Sequence, residues 1–89
     1  MEVKTSSDSG ITVLTPAGRV DTVTAKAFED AVMTAASANK KIAIRFSEID
    51  YISSAGLRVV LMLGKKLTAS NGILVLIDMP EKIFSVFKM

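Results

Sequence analysis

Residues 50–58 constrain the fold most, because an apolar strand pattern leads into this segment and a helical pattern leads out of it. Residues 42–46 predict the strand, and the apolar spacing after Ser53 and Ser54 predicts a helix to about Ser70. A helix start gathers free backbone N–H groups and the positive end of the helix dipole. Two adjacent hydroxyls at such a point indicate a place suited to holding a phosphate.

The rest of the chain continues this alternation of strands and helices. Further strands are predicted at residues 2–6, 11–15 and 73–77, and further helices at about 24–38 and from about 81. Strand–helix–strand units cross over right-handed and place their strands parallel, whereas the first hairpin is antiparallel. The sequence therefore predicts one α/β domain with a single mixed, mostly parallel four-stranded sheet and crossover helices.

Local signals add detail to the first half of this chain. Pro16 is expected to end the second strand or to mark an edge, and residues 18–21 are expected to form a loop. Thr22 or Thr24 can cap the first helix.

The second helix carries more apolar residues than one buried stripe needs. The expected stripe is Leu57, Val60, Leu61, Gly64, Leu67 and Thr68. Val59 and Met62 fall on a different side, near Arg58. Two interpretations remain open: they form an exposed apolar patch beside the serines, or a last helix or a loop covers them.

Composition narrows the function classes. The 89 residues contain no cysteine and no histidine, which excludes disulfides and removes the usual general base and the usual metal ligand. A catalytic Ser53 or Ser54 would need such a base, and Glu48 and Asp50 alone make a weak metal site. We therefore expect no catalysis, no bound metal and no cofactor.

Charge and hydropathy exclude other partners. The net charge is +2, but the basic residues are scattered, and one tyrosine with no tryptophan offers no platform for stacking bases. No apolar run is long enough to span a bilayer, and no signal peptide pattern follows Met1. The expectation is a cytoplasmic domain that neither binds nucleic acid nor inserts into a membrane.

Several motifs together resemble one family. They are Gly-Arg-Val-Asp at residues 18–21, Ile-Asp-Tyr-Ile-Ser-Ser-Ala-Gly-Leu at 49–57, Asn-Gly-Ile at 71–73 and Pro-Glu-Lys-Ile-Phe at 80–84. The chain resembles the STAS domain family (sulphate transporter and anti-sigma factor antagonist), and more closely its small bacterial single-domain branch. The resemblance covers nearly all of residues 1–89 and implies one STAS-like domain.

The resemblance also implies a switch. The serine that the family phosphorylates falls on Ser54, and Ser53, a second candidate acceptor, replaces the aspartate that usually precedes it. In the implied mechanism, the unphosphorylated domain binds an anti-sigma factor that is also a serine kinase and so frees a sigma factor. The kinase uses ATP to phosphorylate the serine, and a metal-dependent serine phosphatase reverses the step.

The resemblance further implies a binding surface and a shortened end. The expected partner-binding residues are Gly18, Asp21, Ser53, Ser54, Arg58, Val59 and Met62. Typical family members continue for two further stretches, so we expect the C-terminal end to be trimmed or missing, with apolar surface left bare. A homodimer is one way to cover that surface.

Two other functions fit the same sequence. The domain can be a non-switching scaffold or an accessory domain of a signalling or transport complex, in which Ser54 only caps the helix. Alternatively, it can bind a small ligand, such as a nucleotide or a lipid, at the helix start.

Overall fold

A computed structural model describes residues 1–88 and contains five strands and three helices. The strands are β1 (Glu2–Asp8), β2 (Ile11–Val20), β3 (Lys41–Arg45), β4 (Ile49–Ile52) and β5 (Ile73–Ile77). The helices are α1 (Ala25–Ala38), α2 (Ser54–Ala69) and α3 (Glu81–Phe87). The seven predicted elements occur in the predicted order, and β4 is an additional strand between β3 and α2.

The sheet is mixed, as predicted. Its main order is β1-β2-β3-β5, and β4 pairs with β2 beyond that path. β1 is antiparallel to β2, whereas the β2–β3, β2–β4 and β3–β5 pairs are parallel. The expected count of four strands is wrong by one, because residues 49–52 form β4 instead of a loop.

β2 is longer than the sequence indicated. It continues through Pro16, which pairs with Val3 of β1. The N–H of Gly18, two residues later, points toward Glu48, so the Pro16 nitrogen faces the same side. β3 pairs with β2 only at residues 12–14, so no neighbouring strand requires an N–H from Pro16. β2 therefore does not end at Pro16, and the alternative, that Pro16 marks an edge, holds on this side. The expectation of a loop is wrong for residues 18–20, which belong to β2, while Asp21 follows the strand.

The core lies between one face of the sheet and the helices. Phe28, Phe46, Leu14, Ile44 and Leu63 are among its fully buried side chains. α1 contacts β2 and β3, while α2 contacts β4, β5 and α1. α3 closes one end, where the ring of Phe87 packs edge-on against Phe46 with centroids 5.6 Å apart.

The buried face of α2 differs from the predicted stripe. Val59 and Leu63 are buried together with Gly56, Val60 and Leu67, while Leu61 and Thr68 are exposed. Because α2 packs against α1 as well as the sheet, its inward face is turned toward both neighbours. None of the helices described in residues 1–88 has the length and apolar character needed to cross a bilayer.

Candidate functional site

A β-bulge at Gly18 sets the direction of the last residues of β2. Gly18 has φ +96°, a left-handed conformation that favours glycine, and the register shifts between Gly18 and Arg19. The Gly18 N–H donates to the Glu48 carbonyl at 2.9 Å. The bulge therefore brings the end of β2 alongside β4.

Asp21 organises the turn that follows β2. Its Oδ1 accepts from the N–H groups of Val23 at 3.0 Å and Thr24 at 3.2 Å. The Thr24 hydroxyl donates to the Arg19 carbonyl at 2.7 Å and accepts from the Asp21 N–H at 2.9 Å. The backbone hydrogen bond from Thr24 is the main reason why the pKa of Asp21 is lowered. Thr24 is the residue that precedes α1, as one of the two predictions had it, but its side chain makes no cap bond to the helix. The Asp21 side chain instead holds the N–H groups of the turn that leads into α1.

Arg19 and Tyr51 form an exposed pair next to this turn. They are partners in the β2–β4 register, and the guanidinium carbon of Arg19 lies 4.4 Å from the centroid of the Tyr51 ring. Arg19 Nε also lies 3.5 Å from Asp21 Oδ2. A guanidinium over an aromatic ring is held by cation–π attraction, so the two side chains present one amphipathic surface.

Ser53 joins this surface to α2. Its N–H donates to the Val20 carbonyl at 2.8 Å, and its own carbonyl accepts from Leu57 at 3.0 Å. Asp21 and Ser54 each come one residue after the Val20–Ser53 contact, so the two turns lie side by side. The Ser53 Oγ is buried, and it has no hydrogen-bond partner among the protein groups of residues 1–88.

Close packing fixes the first turn of α2. Gly56 is buried, and a Cβ at this position would lie 2.7 Å from both Ile52 Cγ1 and Val20 Cγ1. Glycine therefore allows α2 to begin directly against the ends of β2 and β4. The neighbouring Ser54 side chain is exposed at this helix start.

An exposed stripe runs along α2 from Ser54. At about 100° per residue, its members fall within an arc of about 100°. We call this set the outer stripe of α2; it consists of Ser54, Arg58, Leu61, Met62 and Lys65, all exposed. Leu61 is 66% exposed and Met62 is 37% exposed. The stripe combines a hydroxyl, two cations and two apolar side chains.

The expectation of an exposed Val59 is wrong. Val59 is 5% exposed and belongs to the hydrophobic core, whereas Met62 is 37% exposed. Neither of the two interpretations therefore holds for both residues. The structure brings the ends of β2 and β4 together with the start of α2, and so places Gly18, Asp21, Ser53 and Ser54 in one region.

Three residues of this region were not predicted as site residues. Arg19 and Tyr51 both lie inside the motifs, but only the β2–β4 pairing shows that they meet. Leu61 was assigned to the buried stripe; its spacing of seven residues from Ser54 is the signal that places it on the exposed side. Within residues 1–88, no three acidic side chains come together as a metal site.

Comparison with known proteins identifies the family. The family model of the STAS domain matches residues 2–89. A protein of Bordetella bronchiseptica, BtrV, provisionally named an anti-sigma factor antagonist, is 40% identical over 50 residues. That match covers 56% of this chain and 43% of BtrV, so the aligned part is less than half of that relative.

Solved structures share the fold. SpoIIAA, an anti-sigma factor antagonist, matches in its unphosphorylated form with a TM-score of 0.79 at 20% identity, over 98% of this chain and 82% of SpoIIAA. Its phosphorylated form from Bacillus matches with a TM-score of 0.78 at 20% identity, over 98% and 81%. A Thermotoga maritima protein, also provisionally named an anti-sigma factor antagonist, matches with a TM-score of 0.88 at 22% identity, over 97% and 75%. With its model matched over nearly the full length, the chain belongs to the STAS domain family.

Proposed function

We propose that this domain is an anti-sigma factor antagonist that works by partner switching in the bacterial cytoplasm. In its unmodified form it binds an anti-sigma factor that is also a serine kinase, and phosphorylation of Ser54 releases that partner. The observation that carries the proposal is the exposed Ser54 hydroxyl, which stands at the head of the outer stripe of α2 in a STAS domain. The domain acts by binding, with no catalysis of its own.

The start of α2 suits a phosphate. The helix has no side-chain cap hydrogen bond and no acidic residue in its first turn. Its first N–H groups and the positive end of its dipole are therefore not neutralised by the chain itself. A phosphoserine adds about −1.5 to −2 charge at pH 7, and this helix start favours that charge. The domain should thus stay folded when it is modified.

The same charge would disrupt a docked partner. We place the partner on the outer stripe of α2 and on the neighbouring Arg19–Tyr51 pair, with Gly18 and Asp21 shaping the turn beside them. A phosphate on Ser54 would have to lose its hydration against the apolar groups of this interface. A cost of about 2–3 kcal/mol weakens binding about thirty- to more than a hundredfold.

The kinase and the phosphatase complete the proposal. BtrV and SpoIIAA carry the name of anti-sigma factor antagonists, and SpoIIAA is known in phosphorylated and unphosphorylated forms. We propose that ATP is the phosphate donor and that a metal-dependent serine phosphatase reverses the step. Ser53 is the second candidate acceptor, but its Oγ is buried, which favours Ser54.

The test is a pull-down from native cells with the parent chain and three variants, with and without ATP. Ser54→Ala should retain the anti-sigma factor whether or not ATP is present, because it cannot be phosphorylated. Ser54→Asp should bind about thirtyfold or more weakly while its melting temperature stays near that of the parent. Ser47→Asp is the matched control, since it adds the same charge at an exposed serine outside α2.

The results separate this proposal from its rivals. Equal partner affinity for Ser54→Asp and the parent would refute the switch, and mass spectrometry that finds no phosphate on Ser54 in cells would favour the scaffold function. A nucleotide or lipid that raises the melting temperature of the parent by mass action would favour the small-ligand function.

A further inference from the structure

Arg58 is the one arginine whose guanidinium has no partner within residues 1–88. The chain has three arginines. The guanidinium carbon of Arg19 lies 4.4 Å from the centroid of the Tyr51 ring. Arg45 Nε donates to Asp78 Oδ2 at 3.1 Å. Arg58 is exposed and forms no ion pair or cation–π contact with residues 1–88. Its planar set of N–H donors is therefore free to bind an anion.

The sequence of α2 explains why Arg58 has no partner on its own helix. On a helix, the neighbours of a side chain lie three and four residues away. For Arg58 these positions hold Ser54, Ala55, Leu61 and Met62. None of them is charged, and α2 contains no acidic residue along its whole length. A phosphate on Ser54 would be the first anion within reach of Arg58 along the helix.

The elements around α2 do not supply an anion either. β5, which α2 contacts, is entirely apolar, and on α1 Lys26 pairs with Asp30 at 3.0 Å. No other charged group of α1, of the turn before it, of β4 or of the start of α3 forms an ion pair with Arg58. These groups are Asp21, Glu29, Asp50, Glu81 and Lys82.

We propose that Arg58 binds the phosphate once Ser54 is phosphorylated, an inference that rests on the proposed function of Ser54. A spacing of four residues separates the two side chains by about 6 Å along the helix axis and about 40° around it. An acid four residues before a base is the favourable order on a helix. The guanidinium fork matches two phosphate oxygens. Ser53 precedes Arg58 by five residues, about 140° around the axis, so a phosphate there would not gain this partner.

The pair gives phosphorylation a second effect on the outer stripe of α2. In the unmodified chain the Arg58 guanidinium is free to contact the docked partner. In the phosphorylated chain it turns to the phosphate of its own helix. Modification then adds an anion to the docking surface and also withdraws a cation from it. The switch would therefore act on charge twice without any change in the fold.

The test uses the 89-residue chain with phosphoserine incorporated at position 54 during translation, so that it needs no kinase and no partner. Phosphorus NMR follows the second ionisation of the phosphate, which ordinarily occurs near about pH 6. A guanidinium beside the phosphate favours its doubly charged form. The midpoint should therefore lie about 0.2–0.4 higher on the pH scale in Arg58→Gln than in the parent sequence. Arg58→Lys should fall between them, because it keeps the charge without the fork.

Lys65→Gln is the matched control. It removes another cation of the outer stripe, about 16 Å further along the axis, and should leave the midpoint almost unchanged. The difference between the parent and Arg58→Gln should nearly vanish at about 1 M salt, which screens an exposed pair. In the phosphorylated parent the Nε–H proton signal of Arg58 should move downfield, while that of Arg45 should not.

The outcomes separate this inference from the proposed function. Equal midpoints for the parent and Arg58→Gln, or an equal change in Lys65→Gln, would overturn the pairing of Arg58 with the phosphate. Neither result would affect the binding of an anti-sigma factor. A pull-down that recovers no anti-sigma factor would sink the proposed function, whereas the NMR titration would still measure the pairing.

Discussion

The starts of α1 and α2 are held in opposite ways. Before α1, the Asp21 carboxylate accepts hydrogen bonds from two backbone N–H groups. The Thr24 hydroxyl donates to the Arg19 carbonyl and accepts from the Asp21 N–H. At α2, Ser53 makes no side-chain cap bond, and packing around Gly56 fixes the first turn. Hydrogen bonding thus secures one helix start, while steric fit secures the other.

The two helix starts differ in whether their backbone N–H groups are already used to stabilise the fold or remain available to a ligand. The carboxylate of Asp21 lies in the turn that leads into α1 and accepts hydrogen bonds from two N–H groups there, where a negative charge is favourable. α2 is positioned without using its own first N–H groups, so these remain available to an anion such as a phosphate on Ser54. In this reading the polar turn is structural, and the tightly packed turn is the one that can change its charge without unfolding.

The largest expected effect comes from disturbing the packed start. Gly56→Ala places a Cβ 2.7 Å from Ile52 Cγ1 and Val20 Cγ1, both of which lie next to the branch points of stiff side chains. Overpacking should exceed the gain in helix propensity and lower the free energy of unfolding by about 1–2 kcal/mol. Urea unfolding measures it.

Gly64→Ala is the matched control within α2. A Cβ there meets Leu74 Cδ2 at 3.6 Å, an ordinary contact, so the variant should be as stable as the parent or up to about 1 kcal/mol more stable. If both variants changed stability equally, packing at residue 56 would not be what fixes the start of α2.

Much of the fold could be predicted from the sequence, because the apolar residues of each long element recur at the spacing typical of a helix or a strand. The strands and helices were placed within a few residues of the observed ones, apart from β4 and the end of β2. β4 escaped prediction because Asp50 and Tyr51 are exposed and its four residues gain their pairing only from the distant end of β2. A strand that depends on such non-local pairing need not show an alternating pattern of apolar residues in its own sequence.

The candidate site was predicted less completely. The motifs located Ser54 and Asp21, but α2 is so apolar that two different stripes fit its spacing. Leu61 was placed in the buried stripe and Val59 in the binding surface, whereas Leu61 is exposed and Val59 is buried. The contacts of α2 with α1 and with the sheet decide which face is buried. The capping role of Asp21 depends on a turn in which Thr24 and Arg19 also take part, which no spacing rule specifies.

The next largest effect is expected at Asp21, where the pH dependence of the melting temperature tests the hydrogen-bonded turn before α1. Asp21→Ala removes the acceptor of two N–H groups and should lower the melting temperature at pH 7 by about 4–8 °C. Because the pKa of Asp21 is lowered in the folded state, mainly by the backbone hydrogen bond from Thr24, its stabilising effect is complete above the ordinary value of 3.8. The effect is lost as the pH falls through the lowered folded-state pKa.

The pH dependence identifies the charge of Asp21 as the cause. The difference in melting temperature between the parent and Asp21→Ala should be constant from pH 7 to about pH 5 and shrink below about pH 4. Asp21→Asn keeps an oxygen acceptor without the charge, so it should lose less stability at pH 7. A gap between the parent and Asp21→Ala that stays constant down to pH 2 would contradict this role.

The smallest effect is expected at Ser53, and it is the sharpest test of the comparison. Replacing a serine at a helix start by alanine ordinarily costs about 1 kcal/mol, because a cap bond is lost. Here the Oγ is buried and bonds to no protein group of residues 1–88, so Ser53→Ala should leave the free energy of unfolding unchanged or raise it slightly. Thr24→Ala, which breaks the bonds to Arg19 and Asp21, should lose about 1 kcal/mol in the same urea titration. A loss at Ser53 as large as that at Thr24 would mean that side-chain hydrogen bonds also hold the start of α2. Fewer of its first N–H groups would then be free to bind a phosphate.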